Sequence, residues 1–197
     1  MGLLLKHDKP KTSRCSQVYA AGDGIYRAGS DGLGWRLRSG VVRLDVLNSS
    51  GEASFASLAI GGDIIGCESM LFGVYTFSAS ALTQCDLSPW PEGEAAAGES
   101  LLQSLAIAQK RAADVVALRG GEALARVISL IRLLADASGS VVLPTRQDIA
   151  DITDLRFETI SRIIKKLERA EVLAPLKISG VHATRSFSIN LAGLAAA

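Results

Sequence analysis

Apolar positions along this chain follow three successive rhythms. From Val18 to about Pro89 they form short runs broken by glycine-bearing turns: Ala21-Gly22-Asp23-Gly24, Ala28-Gly29-Ser30, Ser39-Gly40, Asn48-Ser49-Ser50-Gly51 and Gly61-Gly62-Asp63. Turn signals at roughly ten-residue spacing predict an antiparallel β-domain. Val41, Val42, Leu44, Val46 and Leu47 make one of its strands; Phe55, Leu58 and Ile60 belong to the next. Pro89-Trp90-Pro91 ends this region, and the rhythm becomes helical. Leu101, Leu105, Ala108, Ala112 and Val115 recur at intervals of 4, 3, 4 and 3, as in a coiled-coil seam, up to a break at Gly120-Gly121. Such a stripe either joins two copies of the chain or packs on the chain's own β-domain.

Shorter helices follow. Leu124, Val127, Ile128, Ile131 and Leu134 give the segment from Glu122 to Ala135 one core face. The stretch from Thr145 to Leu173 predicts two helices joined by a tight turn. Thr145 supplies a hydroxyl for the exposed N–H groups of a helix start, with Asp148 three residues on, near the positive helix end. Thr153-Asp154-Leu155 stops that helix, aspartate being one of the few residues that tolerates a left-handed turn. In the next helix Ile160, Ile163, Ile164 and Leu167 form one buried stripe, and Glu158, Ser161, Arg162 and Lys165 share the other face. This is the pattern of a helix-turn-helix, with its second helix suited to a major groove. The helix is expected to end near Val172, and the segments Pro175–His182 and Phe187–Ile189 predict a small hairpin, a wing.

Glu158 and Arg162, one helical turn apart, carry the chemistry. Arginine fits the two acceptors of a guanine edge, and glutamate accepts from a cytosine amino group. A carboxylate aimed at a polyanion is costly unless it reads a donor, so the pair points to sequence recognition. The competing interpretation is a surface ion pair worth about 0.3–0.5 kcal/mol. Net charge is only +1 over 197 residues, so affinity for DNA must come from a local patch. Between Arg156 and Arg169 five basic residues (Arg156, Arg162, Lys165, Lys166, Arg169) face two acids (Glu158, Glu168), and that excess is the expected footprint. Lys177 and Arg185 of the wing either touch phosphates or are solvated surface.

Hydrophobic content of 48% is ample for folded cores. The opening MGLLLKHDKP has too short an apolar run for a signal peptide, and no stretch approaches the ~20 apolar residues of a membrane span, so a cytoplasmic location is expected. Cys15, Cys67 and Cys85 give neither zinc spacing nor a disulfide framework, and His7 and His182 are far apart, so no metal site is expected. The glycine turns do not have the spacing of a phosphate-binding loop. An enzyme with Cys67 or Cys85 as nucleophile is a competing class, but no recognisable partner segment surrounds either histidine.

The run TRQDIADITDL followed by ETISRIIKKLE resembles the DNA-binding domain of the CRP/FNR family of bacterial regulators, and is most similar to its FNR branch. The resemblance extends to the β-domain through Trp35–Val41 and Gly62–Gly66. It implies an α+β architecture: a β-roll sensor domain over 1–91, similar to cyclic-nucleotide-binding jelly rolls, a dimerisation helix over 92–119 and a winged helix-turn-helix over 120–197. It implies base reading by Glu158, Ser161 and Arg162, phosphate contacts from Thr145, Arg146, Gln147, Arg156, Thr159, Lys165 and Lys166, and a homodimer on a palindromic, TTGA-type site. RNA polymerase is an expected partner. Phe157 and Arg156 depart from the family's pattern, which has an arginine or a small apolar residue at the first and a capping Ser or Thr at the second. The effector region maps to Gly66, Cys67, Glu68, Phe77 and Ser78. Phe77 stands where cyclic-nucleotide binders place a phosphate-holding arginine, and only Cys15 lies where the FNR protein has its iron–sulfur cysteines. Neither cyclic AMP nor a 4Fe-4S cluster is therefore expected, and the effector is left unknown. A sensor that keeps the fold but has lost specific DNA binding is the alternative.

Overall fold

The computed structural model describes residues 15–91, 97–176 and 185–190, with side chains of helix residues 97–101 left aside. Eight strands form the first region: β1 (Gln17–Tyr19), β2 (Gly24–Tyr26), β3 (Gly34–Ser39), β4 (Val41–Leu47), β5 (Ala53–Ile60), β6 (Ile64–Ile65), β7 (Ser78–Ala81) and β8 (Cys85–Trp90). They pair as two antiparallel four-stranded sheets, β1-β8-β3-β6 and β2-β7-β4-β5. Alternation directs Trp35, Leu37, Ile65, Cys85 and Leu87 of one sheet and Val42, Ala59, Ala79 and Ala81 of the other into a shared core. A short helix α1 (Ser69–Phe72) follows β6.

The long helix α2 (Ala97–Ala117) lies against β5, and α3 (Ala123–Leu134) follows the Gly120-Gly121 break. Gly121 has φ +79°, a conformation that glycine adopts without the Cβ penalty. Strand β9 (Ser140–Val142), helices α4 (Arg146–Thr153) and α5 (Phe157–Arg169), and strands β10 (Leu173–Pro175) and β11 (Ser186–Ile189) complete the C-terminal region. The last three strands pair in the order β10-β11-β9. The α+β class and the β-roll, long helix and winged helix-turn-helix follow the sequence expectation. The wing residues 177–184, Lys177 and His182 among them, lie outside the described residues. Helix α5 stops at Arg169, three residues before the expected end, because Glu171 turns left-handed (φ 54°) and Val172 and Leu173 enter the core.

That core crosses the expected domain boundary. Val41, Leu58 and Leu82 of the β-roll share one cluster with Val115 and Leu118 at the end of α2 and with Val127, Ile131, Ile149, Ile160, Ile164 and Leu167 of the C-terminal helices. Val115 is 4% exposed and so leaves the expected coiled-coil seam. Apolar burial of that size outweighs what a half-exposed seam position offers. Ala108, though exposed, lines the groove between α2 and the β-roll with Ser104, Ile107 and Arg111. The outward face instead carries Leu102, Leu105, Ala112 and Val116, together with Ala106, Gln109 and Ala113. Leu105 and Ala112 of the expected seam lie on this exposed face; Leu101's side chain is not among those described.

Candidate nucleic-acid interface

The helix-turn-helix is built from local rules. Thr145 sits extended before α4 and its Oγ1 accepts from the Asp148 N–H at 3.1 Å. Asp154 closes the helix in the left-handed region (φ 53°), its N–H returning to the Ala150 carbonyl. The buried Thr153 hydroxyl donates to the Ile149 carbonyl at 2.6 Å. Helix α5 then buries Ile160, Ile163, Ile164 and Leu167. Its N-cap residue, Arg156, contributes no side-chain cap. The Thr159 and Ile160 N–H groups are taken by the Arg156 carbonyl, so the start of this 13-residue helix presents the Phe157 and Glu158 N–H groups without a capping side chain, with the Arg156 guanidinium and the Glu158 carboxylate beside them.

On the solvent side of α5, Glu158 and Arg162 are exposed and Ser161 is half-buried. Among the described residues neither Glu158 nor Arg162 has an ion pair or side-chain hydrogen bond, so the surface-pair interpretation does not hold. Lys165 and Lys166 are exposed, as is Phe157 at 47%. Thr159, Arg162 and Lys166 line a shallow groove with Ala123 and Leu124 of the first turn of α3. At the start of α4, Gln147 donates to Asp151 at 2.9 Å, and Arg146 approaches Glu168 of α5 at 4.0 Å. Thr145, Arg146 and Gln147 thus stand on one turn, and Arg156, Thr159, Lys165 and Lys166 on the neighbouring helix. Arg185, just before β11, is half-buried and its carbonyl accepts from the Leu143 N–H.

The candidate effector region comes together around two tyrosines that sequence reasoning missed. Tyr75 is buried, and its ring stacks on Tyr26 with centroids 3.9 Å apart. Gly66 (φ +70°) lies under that ring: a Cβ there would meet Tyr75 Cε1 at 2.6 Å. The Tyr75 hydroxyl donates to the Leu33 carbonyl at 2.7 Å. Burial, with Glu68 nearby, pushes the Tyr26 and Tyr75 hydroxyls and the Cys67 thiol upward in pKa. Glu68 itself accepts from the Thr76 N–H at 3.4 Å and hydroxyl at 3.3 Å, and Ser78 Oγ accepts from the Ala28 N–H at 3.1 Å. Phe77 is half-buried beside them. The hint in the chain was the scarcity of tyrosine, three in all, two of which meet here. Cys85 is buried, with its Sγ donating toward the Val41 carbonyl at 3.3 Å, and burial raises its pKa; neither it nor Cys67 has an activated thiol. Among the described residues no group of three His, Cys, Asp or Glu side chains could hold a metal ion. No described helix is long and apolar enough to cross a membrane.

A β-roll joined through a long helix to a helix-turn-helix defines the architecture of a DNA-binding regulator. The model of the Crp-like helix-turn-helix domain matches residues 125–183. The nitrogen fixation regulation protein FixK of Bradyrhizobium diazoefficiens is 34% identical over 157 residues, 71% of this chain and 65% of that protein. The chain thus spans just under two thirds of that relative's length. FixK of Rhizobium meliloti is 28% identical over 168 residues, 82% of this chain and 79% of that protein. A solved CRP-family transcriptional regulator from Thermus thermophilus superposes with TM-score 0.69 at 25% identity, covering 90% of this chain and 94% of that one. The chain thus carries a Crp-like helix-turn-helix domain and over most of its length is similar to transcription regulators of the CRP/FNR family. The proteins it is similar to are transcription regulators and not enzymes, and burial raises rather than lowers the pKa of the Cys67 and Cys85 thiols, so the cysteine-nucleophile alternative is left without support.

Proposed function

We propose that this protein is a homodimeric, sequence-specific DNA-binding regulator that reads a palindromic TTGA-type site with Glu158, Ser161 and Arg162. The observation that carries the reading is the division of α5. One side is fully committed to the core, while the other presents Glu158 and Arg162 with no partner among the described residues. Thr145, Arg146, Gln147, Arg156, Thr159, Lys165 and Lys166 would hold the phosphates on either side and set the register. Dimerisation through the outward stripe of α2, Leu102, Leu105, Ala112 and Val116, would place two such helices on successive major-groove faces. RNA polymerase is the partner such a regulator would address.

The β-roll would then bias the dimer by population shift. Cyclic AMP is a poor candidate for that role. Phe77 cannot neutralise a phosphate, and the Tyr26–Tyr75 stack already lies against Gly66. The test of base readout is affinity on a panel of singly substituted palindromes. Arg162→Ala should lose about 1–3 kcal/mol and flatten discrimination at one symmetric base pair per half-site. Lys166→Ala should weaken all sequences alike and reduce the salt slope by about one. Uniform losses for Arg162 and Glu158 variants would place the recognition surface elsewhere.

A further inference from the structure

One β-roll side chain reaches the helix-turn-helix through two carboxylates, each of which uses its two oxygens for different tasks. Arg43, on β4, is largely buried, with side-chain exposure of 15%. Its Nη1 lies 2.9 Å from Asp151 Oδ2 and 3.5 Å from Asp148 Oδ1. The opposite oxygens face the start of α4: Asp151 Oδ1 accepts from Gln147 Nε2 at 2.9 Å, and Asp148 Oδ2 accepts from the Thr145 hydroxyl at 2.5 Å. Arg43 is itself fixed. Its Nε donates to Asp45 at 2.8 Å, and its guanidinium lies 5.7 Å from the Phe55 ring centroid. Arg119, after α2, lies 5.1 Å from the same ring and donates to the carbonyls of Asp151 and Ile152. The sheet, the end of α2 and the first helix of the helix-turn-helix, α4, are fastened at one point.

We propose that Arg43 is a positioning residue for DNA binding, acting through Asp148 and Asp151 to hold Thr145 and Gln147 in place for the phosphate backbone. The proposal rests on the DNA-binding reading above and adds to it a β-roll residue that touches no DNA. Two physical effects converge. The carboxylates stand on the turn that faces a polyanion, and Arg43 offsets charge that would otherwise repel it. Charge-assisted hydrogen bonds also hold the carboxylates in one geometry, so the anchors are oriented before the phosphate arrives. Loss of Arg43 leaves the acids unpaired and the anchors free to rotate. Because phosphate contacts carry no sequence information, the effect should fall on all DNA alike.

The experiment measures affinity of the full chain for an FNR-type palindrome and for an unrelated duplex, with Arg43→Gln, Arg43→Lys, Asp151→Asn and the Arg43→Gln/Asp151→Asn pair. Arg43→Gln should weaken binding to both duplexes by about tenfold and leave their ratio unchanged. Arg43→Lys should recover part of the loss, and the double variant should bind better than Arg43→Gln alone, since the unpaired carboxylate is gone. Amide exchange over α4, read without DNA, should rise in Arg43→Gln. The proposal is overturned by unchanged or tighter binding in Arg43→Gln, by losses that add in the double variant, or by a selective loss on the palindrome. If wild-type protein binds the two duplexes equally, it is the base-reading assignment that fails. If wild type discriminates and Arg43→Gln matches it, the positioning role alone fails.

Discussion

Helices α2 and α5 are both amphipathic, yet only α5 declares its inside. In α5 the buried side is isoleucine and leucine throughout, and the facing side carries Glu158, Arg162, Lys165 and Lys166. Contrast is high and a single register satisfies it. In α2 and the residue after it apolar side chains stand on two sides: Ile107, Val115 and Leu118 turn toward the β-roll, while Leu102, Leu105, Ala112 and Val116 turn to solvent. At 100° per residue the two sets point roughly 140° apart around the helix, so each offers an apolar stripe of its own. Only packing on β5 chooses between them. An alanine-rich helix with two apolar faces thus has a place in the fold before it has a register.

The largest expected effects lie where both helices enter the common core. Ile164→Ala and Leu118→Ala should each cost about 2–5 kcal/mol, read as shifts in the denaturant midpoint with unchanged slope. A cost below ~1 kcal/mol for Leu118→Ala would break the comparison, since α2 would then not share the core of α5. Next comes the neighbouring pair on α2. Val115→Ala should lose about 1.5–3 kcal/mol of folding stability and keep the oligomeric state. Val116→Glu, by contrast, should leave the fold intact and dissociate the dimer in sedimentation. The reverse outcome would restore the seam drawn from intervals of four and three. The smallest contrast is at helix starts. Thr145→Ala should cost about 1 kcal/mol of stability by removing the cap of α4, whereas Arg156→Ala, which removes no cap, should leave the melting curve close to wild type and weaken DNA binding.

Much of the recognition unit was legible because its determinants are neighbours. Thr145 reaches Asp148, Asp154 ends what Ala150 helps to hold, and the α5 stripe repeats within one short helix. The β-roll was legible as strands and turns, for the same reason. Its sheet order was not, and nor was the tyrosine stack over Gly66, since Tyr26 ends β2 and Tyr75 lies in the loop before β7, with no pattern linking them. Helix α5 ended early for a reason outside its own period: Val172 and Leu173 were claimed by the core.

Sequence alone determined the β character of the first region, the four longer helices, the turn between α4 and α5, and which side chains of α5 face outward. These depend on contacts three or four residues apart, whose geometry the backbone dictates. Tertiary structure decided the facing of α2, the filling of the effector region, and the fastening of Arg43 to Asp151 across 108 residues of chain. Partners that far apart leave no periodic trace. Their meeting is set by how the sheets and helices bury their apolar faces together, and the polar contacts form where that burial brings them.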